Sequence, residues 1–97
     1  MADELPIQRE ETETEGRYVI YLPDGGVAEM TYHKTGPQSI AIDHTGVPEA
    51  WRNQGLAIRL VEAGIKDAEA NGTRIAPYCS YVAAQFRRHP EWQKLLA

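Results

Sequence analysis

Residues 52–71 read RNQGLAIRLVEAGIKDAEAN, a helical pattern with an unusual opening. Ala57, Leu60, Val61, Gly64, Ile65 and Ala68 recur at three- and four-residue spacing and form one apolar stripe. Arg59, Glu62, Lys66, Asp67 and Glu69 take the other positions. The spacing predicts a helix from Gly55 to Asn71, ended by Gly72 in left-handed geometry. Gly64 within the stripe costs about 1 kcal/mol relative to alanine, which close approach to a sheet would offset. The mouth of this helix holds an arginine, two amides and a glycine, with no capping serine or aspartate. A first helical turn leaves N–H groups unpartnered and carries partial positive charge. The amides of Asn53, Gln54, Gly55, Leu56 and Ala57, with the fixed charge of Arg52, therefore suit a pyrophosphate. The same residues also fit a glycine-initiated helix with a surface arginine.

Upstream, the period is two. RYVIYL (17–22) is rich in β-branched and aromatic residues, PDGG turns the chain, and VAEMTYHK (27–34) alternates Ala28, Met30 and Tyr32 against Val27, Glu29 and Thr31. SIAIDHTGV (39–47) is a third strand, and Pro48 stops regular pairing. Downstream, TRIAPY is a short fourth strand, SYVAAQFRRH a second helix with Val82, Ala83 and Phe86 inward, and Pro90 begins a last turn. The order is β-β-β-α-β-α. This is an α/β (α+β) domain whose mixed sheet starts antiparallel and ends in a parallel βαβ unit.

Ninety-seven residues make one domain. Residues 1–15 hold six acids against Arg9, a net charge of −5, and read as a flexible acidic leader. The folded domain, 16–97, is close to neutral at +1. Neither part has the basic stripe of a nucleic-acid binder, so no nucleic-acid partner is expected. No apolar run approaches the roughly 18 residues of a membrane helix, and MADELPIQRE has neither the basic start nor the apolar stretch of a secretory signal. A single cysteine, Cys79, cannot form an internal disulfide and points to a cytoplasmic location. The oligomeric state is left open.

Ligands of parallel sheets gather beyond the carboxyl ends of the strands. Here those ends are HTGVP and PYCS, which topology brings to one edge beside the mouth of the Gly55 helix. The loop lacks the glycine patterns of dinucleotide folds and P-loops, which disfavours nicotinamide cofactors and nucleoside triphosphates.

RNQGLA, with arginine, glycine and alanine at the first, fourth and sixth places, resembles motif A of the GNAT acyl-coenzyme A N-acetyltransferases. HTGVP, PYCSYVAAQF and HPEW, in that order, resemble the small GNAT-like branch that consists of little beyond the core and has a cysteine in the active-site region. The likeness covers residues 16–97. It implies a minimal GNAT-like fold with a splayed strand pair, binding acetyl-CoA. The amides of residues 53–57 would hold the pyrophosphate, with Arg52 at the start of that loop. Thr45 and Val47 would pair by main chain with the pantetheine arm, Pro48 would help to keep the two strands from zipping together, and the thiol end would point toward Cys79. Gly46 departs from the branch, which often has an acidic residue there, and the departure bears on acceptor preference.

Acetyl transfer needs a neutral amine, a stabilised oxyanion and a proton for the departing thiolate. Cys79, ending a strand before a helix, is a candidate to accept the acetyl group or to protonate that thiolate, and is equally a small buried hydrophobe. Tyr78 and Tyr81 flank it as alternative acids or as packing. His44 is a candidate base or a half-buried strand residue. His33, His89 and Cys79 lack metal-ligand spacing, so no metal is expected. Arg87 and Arg88 could reach cofactor phosphates or end a solvated helix, and Trp51 and Trp92 could be core or interface anchors. The two helices that follow the first strand in full-length GNAT domains, and wall the acceptor site, are missing. An open acceptor side suits a protein amine or a polyamine. The expected function is acetyl transfer to an amine; the alternative is a non-catalytic acyl-CoA-binding or interaction module.

Overall fold

The computed structural model describes residues 4–97. Five strands form one sheet in sequence order: β1 (Gln8–Glu11), β2 (Glu15–Tyr21), β3 (Val27–Gly36), β4 (Ser39–Gly46) and β5 (Arg74–Pro77). The first three pairings are antiparallel and β4–β5 is parallel. Helix α1 (Leu56–Asn71) crosses between β4 and β5, and α2 (Ser80–Arg88) follows β5. Short 3-10 turns occupy Glu49–Trp51 and Pro90–Leu95. No helix among the described residues is long and apolar enough to cross a membrane.

The strand periods follow from alternation. Ala28, Met30 and Tyr32 of β3 are buried as expected, against Ile20 and Tyr18 of β2 and the stripe of α1. Gly64 does allow close approach: a Cβ there would lie 3.0 Å from Met30 Cε. In the first turn of α1 the stripe differs from expectation, because Leu56 is buried at 1% exposure while Ala57 is half-buried. Leu56, the first helical residue, turns down into the core and leaves Ala57 on the open side.

The acidic stretch ahead of Gly16, expected as a flexible leader, contains a strand, so the order is β-β-β-β-α-β-α. Two of its acids, Glu10 and Glu11, are paired across the sheet. Arg17 Nε meets Glu10 at 2.9 Å, and Lys34 Nζ meets Glu11 at 3.2 Å. The Arg9 guanidinium lies 5.3 Å and 5.5 Å from the ring centres of Tyr18 and Tyr32, and its Nε donates to the Tyr32 hydroxyl at 2.9 Å. Gly16 makes this possible, because a Cβ there would fall 2.4 Å from the Tyr32 hydroxyl. Thr12 tightens the β1–β2 turn by accepting N–H bonds from Thr14 and Glu15.

Two irregularities shape the open end of the sheet. Thr31 faces His44 while Tyr32 faces Ile42, so Asp43 is an extra residue bulged out of β4. At the end of β5, Tyr78 N–H folds back onto the Ala76 carbonyl at 3.1 Å, and the Cys79 N–H donates to the Ile42 carbonyl at 3.0 Å. The β4–β5 ladder runs only from Ser39 to Ile42, so the strands part before Pro48 is reached.

Candidate functional site

Where β4 leaves β5, a cleft of about 580 Å³ opens. Residues 44–47 line it from β4, residues 51–53 and Gly55 from the connecting loop, residues 56–58 from α1, and Tyr81 from α2. Of the residues proposed from sequence, His44, Thr45, Val47, Arg52, Asn53, Gly55, Leu56 and Ala57 therefore share one cavity. Gln54 is in the loop but not on the wall.

The loop owes its shape to two left-handed residues, Asn53 at φ 65° and Gly55 at φ 78°. Gly55 is the N-cap of α1, and among the described residues no side chain caps the helix and no acid sits in its first turn. The helix thus presents its amides, uncapped, to the cleft. Arg52 is drawn in by a bond from its Nε to the Val47 carbonyl at 3.2 Å. Trp51, undecided from sequence, lines the cleft, and its indole N–H donates to Asp24 Oδ2 at 2.9 Å. That bond, with the Gly26 amide, holds the Asp24 carboxyl below its ordinary range. The β2–β3 turn thereby braces the loop from outside. Sequence reading took Asp24 only as a turn residue, because its partner lies 27 positions away.

Cys79 is not on the cavity wall; it touches the cleft through Thr45, whose hydroxyl lies 3.6 Å from Sγ. Burial pushes the thiol up, but the amides of Val82 and Tyr81, together with the Thr45 hydroxyl and amide, outweigh it and hold the thiol below its usual value. Burial pushes the Tyr81 phenol up, so it keeps its proton at neutral pH. Tyr78 is 72% exposed and takes no part in the core of this chain.

His44 is exposed, and among the described residues it makes no hydrogen bond to protein and none to Cys79. The other histidines are engaged. His33 Nδ1 meets Asp43 at 2.9 Å, while His89 Nδ1 meets the Gln85 carbonyl at 2.8 Å and stacks on Trp92. Trp92 is a core residue, 7% exposed.

A second cleft, of about 510 Å³, lies on the sheet beside β1. Glu10, Glu11, Glu15 and Asp43 line it against one arginine, Arg17. Its charge would repel phosphates.

Residues 17–95 match the family model described as GCN5-related N-acetyl-transferase. A solution structure of a candidate GCN5-like N-acetyltransferase from Staphylococcus aureus superposes with a TM-score of 0.70 at 26% identity, over 96% of this chain and 88% of that one. The crystal structure of the ribosomal-protein-alanine N-acetyltransferase from Brucella melitensis biovar Abortus 2308 shares the fold, with a TM-score of 0.60 at 17% identity over 89% of this chain. This chain spans 64% of the length of that structure. The mixed sheet, the parted parallel strands and the match over residues 17–95 lead to one assignment: the chain belongs to the GCN5-related N-acetyl-transferase (GNAT) family.

Proposed function

We propose that the domain uses acetyl-CoA as donor and transfers the acetyl group to an amine on a protein or a polyamine. The observation that carries this reading is the uncapped mouth of α1 opening onto a cleft beside the stretch of β4 that β5 leaves unpaired. The residues fit the donor. The amides of residues 53–57 and the charge of Arg52 suit its pyrophosphate. The Val47 carbonyl is engaged by Arg52 and the Thr45 amide by the Cys79 sulfur. Val47 would therefore serve the pantetheine arm through its N–H, and Thr45 through its carbonyl. Acetyl-CoA supplies an activated thioester. Cys79, held toward the thiolate, is suited to take the acyl group. Tyr81 keeps a proton to return to the departing thiol, and His44 is the base for the acceptor. The free Cys79 thiol is consistent with work in a reducing compartment such as the cytoplasm.

The test has two parts. Coenzyme A at a hundred times its Kd should raise stability by about 2.7 kcal/mol. Incubation with acetyl-CoA should then give a +42 Da adduct by intact mass, lost in Cys79→Ala. Binding with neither adduct nor turnover would make the domain an acyl-CoA-binding module instead. No stabilisation by coenzyme A would overturn the donor.

A further inference from the structure

The carboxyl end of β4 reads HTGVP, with a glycine two places after His44. Residues two apart on a strand share a face. A Cβ built on Gly46 would lie 2.9 Å from His44 Nε2 and 3.7 Å from both Cδ2 and Cε1. The equal distances put that Cβ over the Nε2 end of the ring and off its plane, too close for the ring to keep this position beside a side chain at 46. Both residues line the cleft at the mouth of α1. His44 is also the histidine whose ring nitrogens the protein leaves unpaired among the described residues.

We infer that Gly46 is a positioning residue for acetyl transfer: it admits the His44 ring over the strand and leaves Nε2 open to the incoming amine. The inference rests on the donor and acceptor reading above and adds the determinant of where the base stands. Gly46 does not have a positive φ, so a side chain there brings no backbone strain. The atoms it would meet are the far end of one exposed side chain. Alanine at 46 should therefore turn the His44 ring aside and leave the fold intact. Few substitutions separate geometry from stability so cleanly.

The experiment compares wild type, Gly46→Ala, His44→Gln and the double variant. Acetyl-CoA is the donor, spermidine and poly-L-lysine are the amines, and free coenzyme A is measured. Gly46→Ala should lower kcat at least tenfold with either amine, in line with the loss of a general base. It should keep the KM for acetyl-CoA and the melting temperature near wild type. In the His44→Gln background it should change kcat less than twofold. An equal loss in that background, a raised KM for acetyl-CoA with kcat unchanged, or full activity would each overturn the inference while leaving the acetyltransferase reading intact. A wild-type protein that releases no coenzyme A with either amine would overturn both.

Discussion

Gly55 and Gly72 stand at opposite ends of α1, and alanine at each should separate the stability of the helix from its proposed use. Both are left-handed, at φ 78° and φ 69°, and a Cβ on either meets nothing within 4 Å. The folding cost is thus set by the dihedral alone. Left-handed alanine costs about 1–2 kcal/mol, and the stiffer unfolded chain returns about 0.4–1 kcal/mol. Each variant should therefore lose about 1 kcal/mol and melt about 4–8 °C lower for a domain of this size. Coenzyme A affinity should divide them. If Gly55→Ala relaxes toward negative φ, the amides at the helix mouth swing away from the pyrophosphate. Losing one charge-assisted bond of about 1.5–3 kcal/mol weakens binding by about 10- to 100-fold. Gly72→Ala, at the far end, should bind as wild type. Calorimetric titration at matched temperature, with thermal melts alongside, reads both quantities. Equal affinity in the two variants would refute phosphate binding by the loop, whatever their stability.

Asp24→Ala should free the Trp51 indole, weaken coenzyme A binding and blunt the change in tryptophan fluorescence on titration, whereas Asp24→Asn, which still accepts the indole N–H, should keep most of both. Alkylation of Cys79 by iodoacetamide should reach half its maximal rate at a lower pH than alkylation of a free cysteine. Thr45→Val should move that midpoint upward. Because folding favours the thiolate, wild type gains stability over Cys79→Ser as pH rises through the folded pKa and loses the gain as pH falls, a trend that urea titrations across pH would check. Arg9→Ala removes the cation between Tyr18 and Tyr32 and a bond to the Tyr32 hydroxyl. It should cost about 2 kcal/mol, and chemical denaturation would show an unaltered stability if β1 is not held this way.

Local pattern announced β2, β3, β4 and both helices, because each carries its period within a single window of sequence. β1 was hidden for the opposite reason. Its residues are charged at nearly every place, and what orders them lies elsewhere: Arg17 for Glu10, Lys34 for Glu11, two tyrosines for Arg9. No window of sequence shows that Glu10 and Glu11 are satisfied. The cleft was legible where it depends on main-chain geometry, since an uncapped glycine before an amphipathic run can be read directly. So was the meeting of Thr45 and Cys79, since topology brings HTGVP and PYCS to one edge; the Asp24–Trp51 brace was not, because its partners lie 27 positions apart. The place of Gly46 was legible only as a departure from the family pattern. Its meaning needed the position of one imidazole nitrogen.

The same contacts explain how so short a domain keeps a cleft open without the two walling helices of larger relatives. A parted strand pair leaves backbone groups exposed and is prone to close on itself. Here the parting is secured from both sides. On the β5 side, Tyr78 N–H is spent on Ala76, and the last bond to β4 is made by Cys79, already at the start of α2. On the β4 side, the bulge at Asp43 shifts the register of the strand, Arg52 takes the Val47 carbonyl, and Trp51 is tied to the β2–β3 turn. Each device uses a backbone group or a loop side chain, although Trp51 also packs against the apolar core. The core can therefore stay small while the cleft stays shaped.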